Sequence, residues 1–344
     1  TISAREYAYG PLFAHILGYM GKIEENQKEQ YLKRNYRLND SVGKTGIEER
    51  FEEFLHGRDG RTYVEVDATG KIQRTVAAEE AIPGNVLRLT IDRDLQEKAT
   101  QTLAKMLERT RTKKGTVVVM DPSSGEILSL VSLPSFDDNL FTTKKDATAL
   151  EELFRNPDQP LFNRAISGTY PSGSTIKPAV AVAALQEGVI TKNTTVFSSG
   201  GLRIGQWFFP DWKAGGHGMV NVRSALANSV NTFFYTIGGG YGDQKGLGAT
   251  KLGEYLRAFQ FDVPTGIELD SEASGFVPTP DWKLKTKNEP WYIGDTYHLA
   301  IGQGDFLVTP LQIARMTAYF ASGGKWTKPH LALPPLLTSP RAGE

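Results

Sequence analysis

The sequence predicts a mixed fold, α+β or α/β in class, in which helices cover the faces of a β-sheet. Two segments carry this prediction. Residues 115–133 read GTVVVMDPSSGEILSLVSL, two β-rich runs around a Pro-Ser-Ser-Gly turn, which is the pattern of a β-hairpin. Residues 169–185 read TYPSGSTIKPAVAVAAL and end in a run that is apolar all round, which is typical of a buried helix.

Residues 1–85 are polar and rich in charge, and we expect them to form a separate, elongated region without catalytic groups. The stretch GIEERFEEFLHGRDG predicts an amphipathic helix that ends at Gly57 and presents one apolar face, made of Ile47, Phe51, Phe54 and Leu55. TYVEVDATGKIQRTV then alternates like two short strands around a turn. Because Pro83-Gly84-Asn85 breaks the chain, we place a domain boundary between 1–85 and 86–344.

The pattern of the chain changes from residue 86. VLRLTI predicts a strand, and DRDLQEKATQTLAKML predicts a helix whose N-cap is Asp92. Two later segments, VNVRSALANSVNTFFYTIG and TPLQIARMTAYFAS, also predict helices.

Composition limits the classes of function. The chain has 344 residues, enough for one large domain or two ordinary ones. Its 39 basic and 39 acidic residues balance, so no nucleic-acid partner is expected, since such a partner needs a basic surface. The longest apolar runs are about ten residues, whereas a membrane-spanning helix needs about 20. Cysteine is absent, which excludes disulfides and thiolate chemistry.

Ser174 and Lys177 are the first candidate catalytic pair. Gly173 permits a sharp turn and Pro178 suits the first turn of a helix, so Ser174 falls near the helix N-terminus with Lys177 about one turn later. Residues three apart share a helix face, so the hydroxyl and the amine can meet. Burial and the helix dipole both disfavour the charged amine, and a neutral lysine beside a serine is a general base beside a nucleophile. Two other serines share the spacing, Ser41 and Ser322, but both lie in polar, glycine-containing stretches.

Ser229 and Asn231 form a second polar group inside an apolar helical run. One interpretation is structural: the run Asn228-Ser229-Val230-Asn231 caps a helix end or is satisfied by the backbone. The other is functional: Ser229 and Asn231 project into the same cleft as Ser174 and Lys177, where a hydroxyl could pass on a proton and an amide could orient the lysine.

These motifs together resemble the active-site pattern of penicillin-recognising serine acyltransferases. The segments TYPSGSTIKP, DWKAGGHGMVNVRSALANSVNTFFY and GDTYHLAIGQGDFLVTPLQIARMTAYFASGG are similar to class B penicillin-binding proteins of the elongation type, the penicillin-binding protein 2 group. The likeness also covers GKTGIEERFEEFLHGRDG and TIDRDLQ, so it spans nearly the whole chain.

The resemblance implies a peptidoglycan D,D-transpeptidase made of an N-terminal pedestal and a transpeptidase domain, with an antiparallel-rich sheet, helices on both its faces and a buried central helix. Ser174 would be the nucleophile and Lys177 the general base, Ser229 would pass the proton to the leaving amine, and Asn231 would position Lys177 and the substrate. The implied ligands are peptidoglycan stem peptides and β-lactams, and the implied partners are a rod-complex glycan polymerase and scaffold. The implied location is the periplasmic side of the bacterial cell membrane, with an N-terminal transmembrane anchor outside this sequence.

The chain departs from the family pattern in its third motif, a Lys-Thr-Gly that should follow the Ser-x-Asn motif. The Lys-Thr-Gly present, Lys44-Thr45-Gly46, precedes both other motifs, and we interpret it as a turn with Lys44 on the surface. We therefore expect a transpeptidase domain that is incomplete at its C-terminus and impaired in acylation, because the missing strand would supply half of the oxyanion hole.

Other classes of site and function have weaker support. Some relatives of this type bind zinc near the position of Asp211 and His217, but two ligands without a cysteine fall short of the usual four, so we expect no metal and no other cofactor. A β-lactam sensor or a catalytically silent cell-wall binding module is the alternative function. A Ser-His-Asp hydrolase is more remote, since no Gly-x-Ser-x-Gly occurs.

Overall fold

The computed structural model describes residues 5–143 and 146–334; the last part of the expected 86–344 domain, residues 335–344, lies outside the described residues. The strands form antiparallel pairs, β1–β2, β3–β4, β5–β6, β7–β10 and β8–β9. Their bounds are β1 (Met20–Lys22), β2 (Ser41–Gly43), β3 (Arg61–Val66), β4 (Ile72–Glu79), β5 (Gly115–Met120), β6 (Ile127–Leu133), β7 (Val196–Ser198), β8 (Gly201–Ile204), β9 (Trp207–Pro210) and β10 (Gly218–Val220).

The α-helices are α1 (Ala14–Leu17), α2 (Lys28–Lys33), α3 (Gly46–Arg50), α4 (Glu52–Leu55), α5 (Arg93–Thr110), α6 (Ala147–Arg155), α7 (Lys177–Gln186), α8 (Val222–Ala227), α9 (Asn231–Gly239), α10 (Gly248–Ala258), α11 (Pro280–Lys287), α12 (Ile293–Ala300) and α13 (Pro310–Ala321). Short 3-10 helices occur at Gly10–Leu12, Glu25–Gln27, Asp138–Phe141 and Gly173–Ile176. In the described part of the chain, no helix combines the length and the apolar character needed to cross a bilayer.

The amphipathic helix predicted near residue 50 is two short helices, α3 and α4, that break at Phe51. The prediction of its buried face was also wrong in part, because Glu48 and Glu52 are buried. Glu48 pairs with Arg5 at 2.8 Å, and Glu52 accepts hydrogen bonds from the Gly43 amide and the Tyr36 hydroxyl. Glu48 and Glu52 are therefore buried because each carboxylate has specific partners, although the apolar periodicity of the segment predicts that both would be exposed.

Lys44 is partly buried, whereas the prediction placed it on the surface. Its side chain is only 13% exposed, and its Nζ donates hydrogen bonds to Glu24 Oε1 (3.1 Å) and Gln27 Oε1 (2.9 Å). The aliphatic part of the side chain packs over Gly21. The rest of the prediction holds, since the segment leads directly into α3.

The hairpin β5–β6 and helix α5 confirm the sequence pattern in the second part of the chain. Asp92 caps α5 by accepting a hydrogen bond from the Leu95 amide, and α5 packs on both strands of the hairpin, while α13 packs on β5. The strand predicted at 86–91 is wrong: its backbone makes only two bonds to residues 331–333, which is too short a pairing for a strand. The β3–β4 hairpin is present as predicted and is exposed along its whole length.

Two main apolar cores, beside a small third cluster of Ile23, Tyr36 and Val42, hold the described elements together. The larger one surrounds α7 and α9 and includes Val180, Phe233 and Tyr297. Helix α7 is not buried all round, since Val182 and Leu185 are exposed. The smaller core joins apolar residues of the N-terminal region to residues of the hairpin and of α13: Ile16, Ile47, Ile127, Leu130 and Leu311.

Candidate active site

Lys177 is the first residue of α7, and its long side chain is buried in the larger core with only 2% of its surface exposed. Its Nζ donates hydrogen bonds to three oxygen atoms: the Ser229 carbonyl at 2.8 Å, the Asn231 side-chain Oδ1 at 2.7 Å and the Ser229 Oγ at 3.1 Å. The Phe234 ring lies beside the amine, with 5.2 Å between Nζ and the ring centroid. The predicted contacts of Ser229 and Asn231 with Lys177 are confirmed.

Ser229 lies at a break between two helices. The single helix predicted over this segment is wrong: α8 ends at Ala227 and α9 begins at Asn231. Ser229 has a left-handed backbone with φ of 51°, which an α-helix does not allow and which is uncommon outside glycine and asparagine. The break places both the carbonyl and the hydroxyl of Ser229 at Lys177. Weak helix formers at 228–231 were the signal for it.

Ser174 lies in the 3-10 helix that precedes Lys177, after Gly173 with φ of 56°. Its side chain is exposed, and its hydroxyl has no hydrogen-bond partner within the described residues. The direct contact between this hydroxyl and the Lys177 amine, which the spacing allows, is not formed, because the amine directs its bonds to Ser229 and Asn231. The hydroxyl of the candidate nucleophile is therefore exposed, whereas the Lys177 amine one turn later is buried and makes three hydrogen bonds.

The loop that carries Ser174 is attached to the segment that follows α12. The Gly173 amide donates a hydrogen bond to the Gly302 carbonyl at 2.8 Å, and Tyr170 and Val308 exchange two backbone bonds of 2.9 Å. In the sequence, the AIGQGDF segment carries part of the family likeness and has no assigned role in the site. Its contact with the Ser174 loop depends on the tertiary structure.

Burial lowers the pKa of Lys177 to about 8, because the charged amine loses its hydration, while the charge of Asp211 acts in the opposite direction. This value is close enough to neutral pH for a useful fraction of the amine to be unprotonated. A neutral amine keeps two N–H donors, which match the two carbonyl oxygens of Ser229 and Asn231. Its lone pair then remains free to take a proton from a hydroxyl.

Asp211 is a residue of the site that sequence reasoning missed, since it considered Asp211 and His217 only as possible zinc ligands. The Asp211 carboxylate accepts hydrogen bonds from three backbone amides: Trp212 at 2.9 Å, Asn231 at 3.2 Å and Thr232 at 2.9 Å. It also accepts one from the Thr232 hydroxyl at 2.7 Å. Burial by itself would raise the pKa of Asp211, but these bonds outweigh burial and hold that pKa below its usual value.

The hydrogen-bond partners of Asp211 are thus the first two residues of α9, the neighbouring Trp212 amide and, at 3.4 Å, the Ser198 hydroxyl. His217 Nε2 lies 3.9 Å from Asp211 Oδ1. Across residues 5–143 and 146–334, no group of three or more histidine or acidic side chains is arranged to hold a metal ion.

Two protein-family models together match most of the chain. Residues 115–333 match the model of the penicillin-binding protein transpeptidase domain, and residues 1–89 match that of the penicillin-binding protein dimerisation domain. The chain belongs to the penicillin-binding protein family. This confirms the family inferred from the motifs and the mixed helix-and-sheet class of the fold.

Several relatives match this penicillin-binding protein over nearly its whole length. It is 39% identical over 333 residues to the peptidoglycan D,D-transpeptidase MrdA of Acinetobacter baumannii, which covers 96% of this chain and 48% of that protein. The MrdA of Escherichia coli is 38% identical over 335 residues, covering 96% of this chain and 51% of its own length. The chain thus spans about half the length of the curated relatives it matches.

Solved structures show the same likeness. The complex between penicillin-binding protein 2 (PBP2) and MreC from Helicobacter pylori matches with a TM-score of 0.84 at 34% identity, covering 97% of this chain and 59% of that one. Pseudomonas aeruginosa PBP2 in complex with WCK 5153 matches with a TM-score of 0.81 at 36% identity, covering 98% and 69% of the respective chains.

Proposed function

We propose that this penicillin-binding protein is a peptidoglycan D,D-transpeptidase that cross-links stem peptides through a serine acyl-enzyme and is acylated by β-lactams. The observation that carries the proposal is the buried amine of Lys177, held by Ser229 and Asn231 one turn after the exposed hydroxyl of Ser174. The names of the MrdA relatives support the same reaction.

In the proposed reaction, the Ser174 oxygen attacks the carbonyl carbon of the D-Ala–D-Ala peptide bond and its proton passes to Lys177 Nζ. The tetrahedral intermediate then collapses, the C–N bond breaks, and the proton reaches the leaving D-Ala amine through the Ser229 hydroxyl. An amine of a second stem peptide then attacks the acyl carbon, the C–O bond to Ser174 breaks, and the proton that the amine gives up returns to the Ser174 oxygen through Lys177. Each proton that leaves one group is taken up by the next, so the enzyme is unchanged after one cycle.

Asn231 positions Lys177 and the substrate in this scheme, since its amide oxygen already holds the lysine at 2.7 Å. The backbone N–H of Ser174 serves as one oxyanion donor. It lies in the first turn of a short helix, where N–H groups have no partner within the helix. A second donor must come from elsewhere in the cleft.

The names of related structures support a proposal about partners, and the family likeness supports one about location. A PBP2 of this family forms a complex with MreC, and another neighbour is described as a peptidoglycan synthase complex that coordinates polymerization and crosslinking. We propose that residues 1–85 are a region without catalytic groups that packs against the transpeptidase domain through the core of Ile16, Ile47 and Leu311 and docks a scaffold and a glycan polymerase of this kind. The family matches at 1–89 and 115–333 support this division. The protein would act on the periplasmic side of the membrane.

The proposal is tested by covalent labelling with a fluorescent penicillin and intact-mass detection. The wild-type protein should gain one penicilloyl group, at the lowered rate expected of a chain without the Lys-Thr-Gly motif after Asn231, and Ser174→Ala should abolish it. Ser41→Ala is the matched control, because Ser41 has the same spacing to a lysine and should retain full labelling. Labelling that persists in Ser174→Ala would refute the assignment. Acylation by penicillin without release of D-Ala from a D-Ala–D-Ala peptide would favour the sensor alternative.

A further inference from the structure

We propose that Asp211 is a positioning residue of this active site, whose buried carboxylate fixes the start of α9 and thereby holds Asn231 against Lys177. The inference rests on the proposed function, because it assigns Lys177 and Asn231 their roles in acyl transfer. It adds a residue that lies 20 positions before Asn231 in the sequence.

The hydrogen-bond geometry makes Asn231 the link between the two charged groups. Its backbone N–H donates to Asp211 Oδ1 at 3.2 Å, and its side-chain Oδ1 accepts from Lys177 Nζ at 2.7 Å. The next residue, Thr232, donates to Asp211 Oδ2 from both its amide and its hydroxyl. The carboxylate therefore binds the first two residues of α9 with both oxygens, in the way an N-cap residue does from within its own helix.

The charge of Asp211 has a second effect at the lysine. The N-terminus of a helix carries a partial positive charge, which would add to burial in disfavouring the ammonium form of Lys177. Asp211 opposes both effects, since a fixed negative charge nearby favours the ammonium form. The other ionisable groups facing Asp211 are His217, 3.9 Å away, and Tyr235, whose pKa is raised to about 12 by burial first and then by the charge of Asp211.

Removing the charge of Asp211 should have different effects if Asp211 is only a structural cap and if it also sets the charge of Lys177. A structural cap affects the stability of the protein and the extent of its activity. A charged positioning residue also changes the pH at which the Lys177 amine loses its proton. Removing the negative charge must move that titration to lower pH, because the ammonium form loses a favourable interaction.

The deciding experiment compares Asp211→Asn with Thr232→Val in the full chain. Asparagine removes the charge, whereas valine removes one hydrogen bond to the carboxylate and leaves the charge in place. The titration of Lys177 is followed by NMR of lysine-labelled protein, with Lys177→Arg used to assign the signal. We expect a midpoint near pH 8 in the wild type and in Thr232→Val. In Asp211→Asn, the midpoint should move to lower pH, because the ammonium form loses the nearby negative charge.

A second measurement follows the rate of Ser174 acylation by penicillin against pH. In Asp211→Asn, the rising limb of the profile should move to lower pH, and its plateau should drop about tenfold or more as Asn231 loses its anchor. If Asp211→Asn does not fold, Asp211→Ser replaces it, because serine keeps a neutral oxygen that can accept from the helix N-terminus.

The outcomes separate the two proposals. An unchanged Lys177 midpoint together with an unchanged acylation plateau in a folded, uncharged Asp211 variant would overturn the inference and reduce Asp211 to a structural cap. A wild-type protein that is not acylated at Ser174 would refute the proposed function, while the NMR titration would still decide whether Asp211 controls the charge of Lys177.

Discussion

Replacing Gly302 with alanine should displace the loop that carries Ser174. A Cβ atom at this position would lie 2.2 Å from the Gly173 carbonyl oxygen and 2.2 Å from Ser172 Oγ, far inside any allowed contact. Gly302 also has a left-handed backbone, with φ of 73°. The contact is to backbone as well as to a side chain, so no rotamer change can relieve it, and the Ser174 loop or the 302–304 turn must move.

The cost of this substitution has three parts. The left-handed conformation costs an alanine about 1 kcal/mol. Loss of the hydrogen bond from the Gly173 amide to the Gly302 carbonyl costs about 1 kcal/mol. Overpacking adds roughly 1–3 kcal/mol. We therefore expect a loss of about 3–5 kcal/mol in the free energy of unfolding. The shift needed to clear the contact is about 1 Å, and a misplacement of that size can lower a rate about 10²-fold.

Gly304→Ala is the matched control for this experiment. Gly304 has nearly the same backbone, with φ of 75°, but the nearest atom to an added Cβ is His298 Cβ at an ordinary 3.4 Å. It should lose only the backbone term of about 1 kcal/mol and keep its acylation rate. Thermal unfolding and the rate of labelling by fluorescent penicillin measure both effects. A Gly302→Ala protein that is acylated at the wild-type rate would refute the reasoning, as would equal losses in the two variants.

Two further predictions concern stability. Asp138 is buried and neither carboxylate oxygen has a hydrogen-bond partner within the described residues; burial, and next the charge of Asp137, raise its pKa to about 7. Between about pH 4 and 7 the folded state therefore keeps a proton that the unfolded state has lost, so wild-type stability falls as pH rises through this window. In urea unfolding at pH 8, Asp138→Asn should be more stable than the wild type by up to about 4 kcal/mol. This difference in the free energy of unfolding should disappear near pH 4. A difference that does not depend on pH would contradict the prediction. The side chain of Gln96 is buried, and its amide forms hydrogen bonds with the backbone of Leu12 and Leu130. Gln96→Leu should therefore lower the free energy of unfolding by about 2–4 kcal/mol, measured by thermal unfolding. Gln101→Leu is the control, since Gln101 is exposed and its replacement should change the stability very little. Equal losses in the two glutamine variants would show that these bonds do not stabilise the fold.

Local sequence patterns located some of the regular elements and missed others, among them α10, α12 and the four short strands β7 to β10. The β5–β6 hairpin, the Asp92-capped α5 and the exposed β3–β4 hairpin follow from alternation, turn residues and capping chemistry. The errors occur where a local pattern competes with partners distant in the chain. The breaks at Phe51 and Ser229 interrupt runs with good helical periodicity, because side chains and carbonyl groups there bond to residues elsewhere.

The sequence by itself determined the kind of chemistry. Ser174, Lys177, Ser229 and Asn231 are recognisable from residue type, spacing and apolar context, and together they point to one family. It also determined that a lysine would begin a mostly buried helix. A helix that is apolar on all sides is expected in the core, and Lys177 is its first residue.

Only the tertiary structure decided how these groups meet. It brought Ser229 and Asn231 onto Lys177 rather than onto Ser174, placed Asp211 at the start of α9, and attached Gly302 to the Ser174 loop. The physical reason is that hydrogen bonds between segments far apart in the chain depend on the path of the backbone and on which polar groups burial leaves without water. Neither is encoded in the propensities of neighbouring residues.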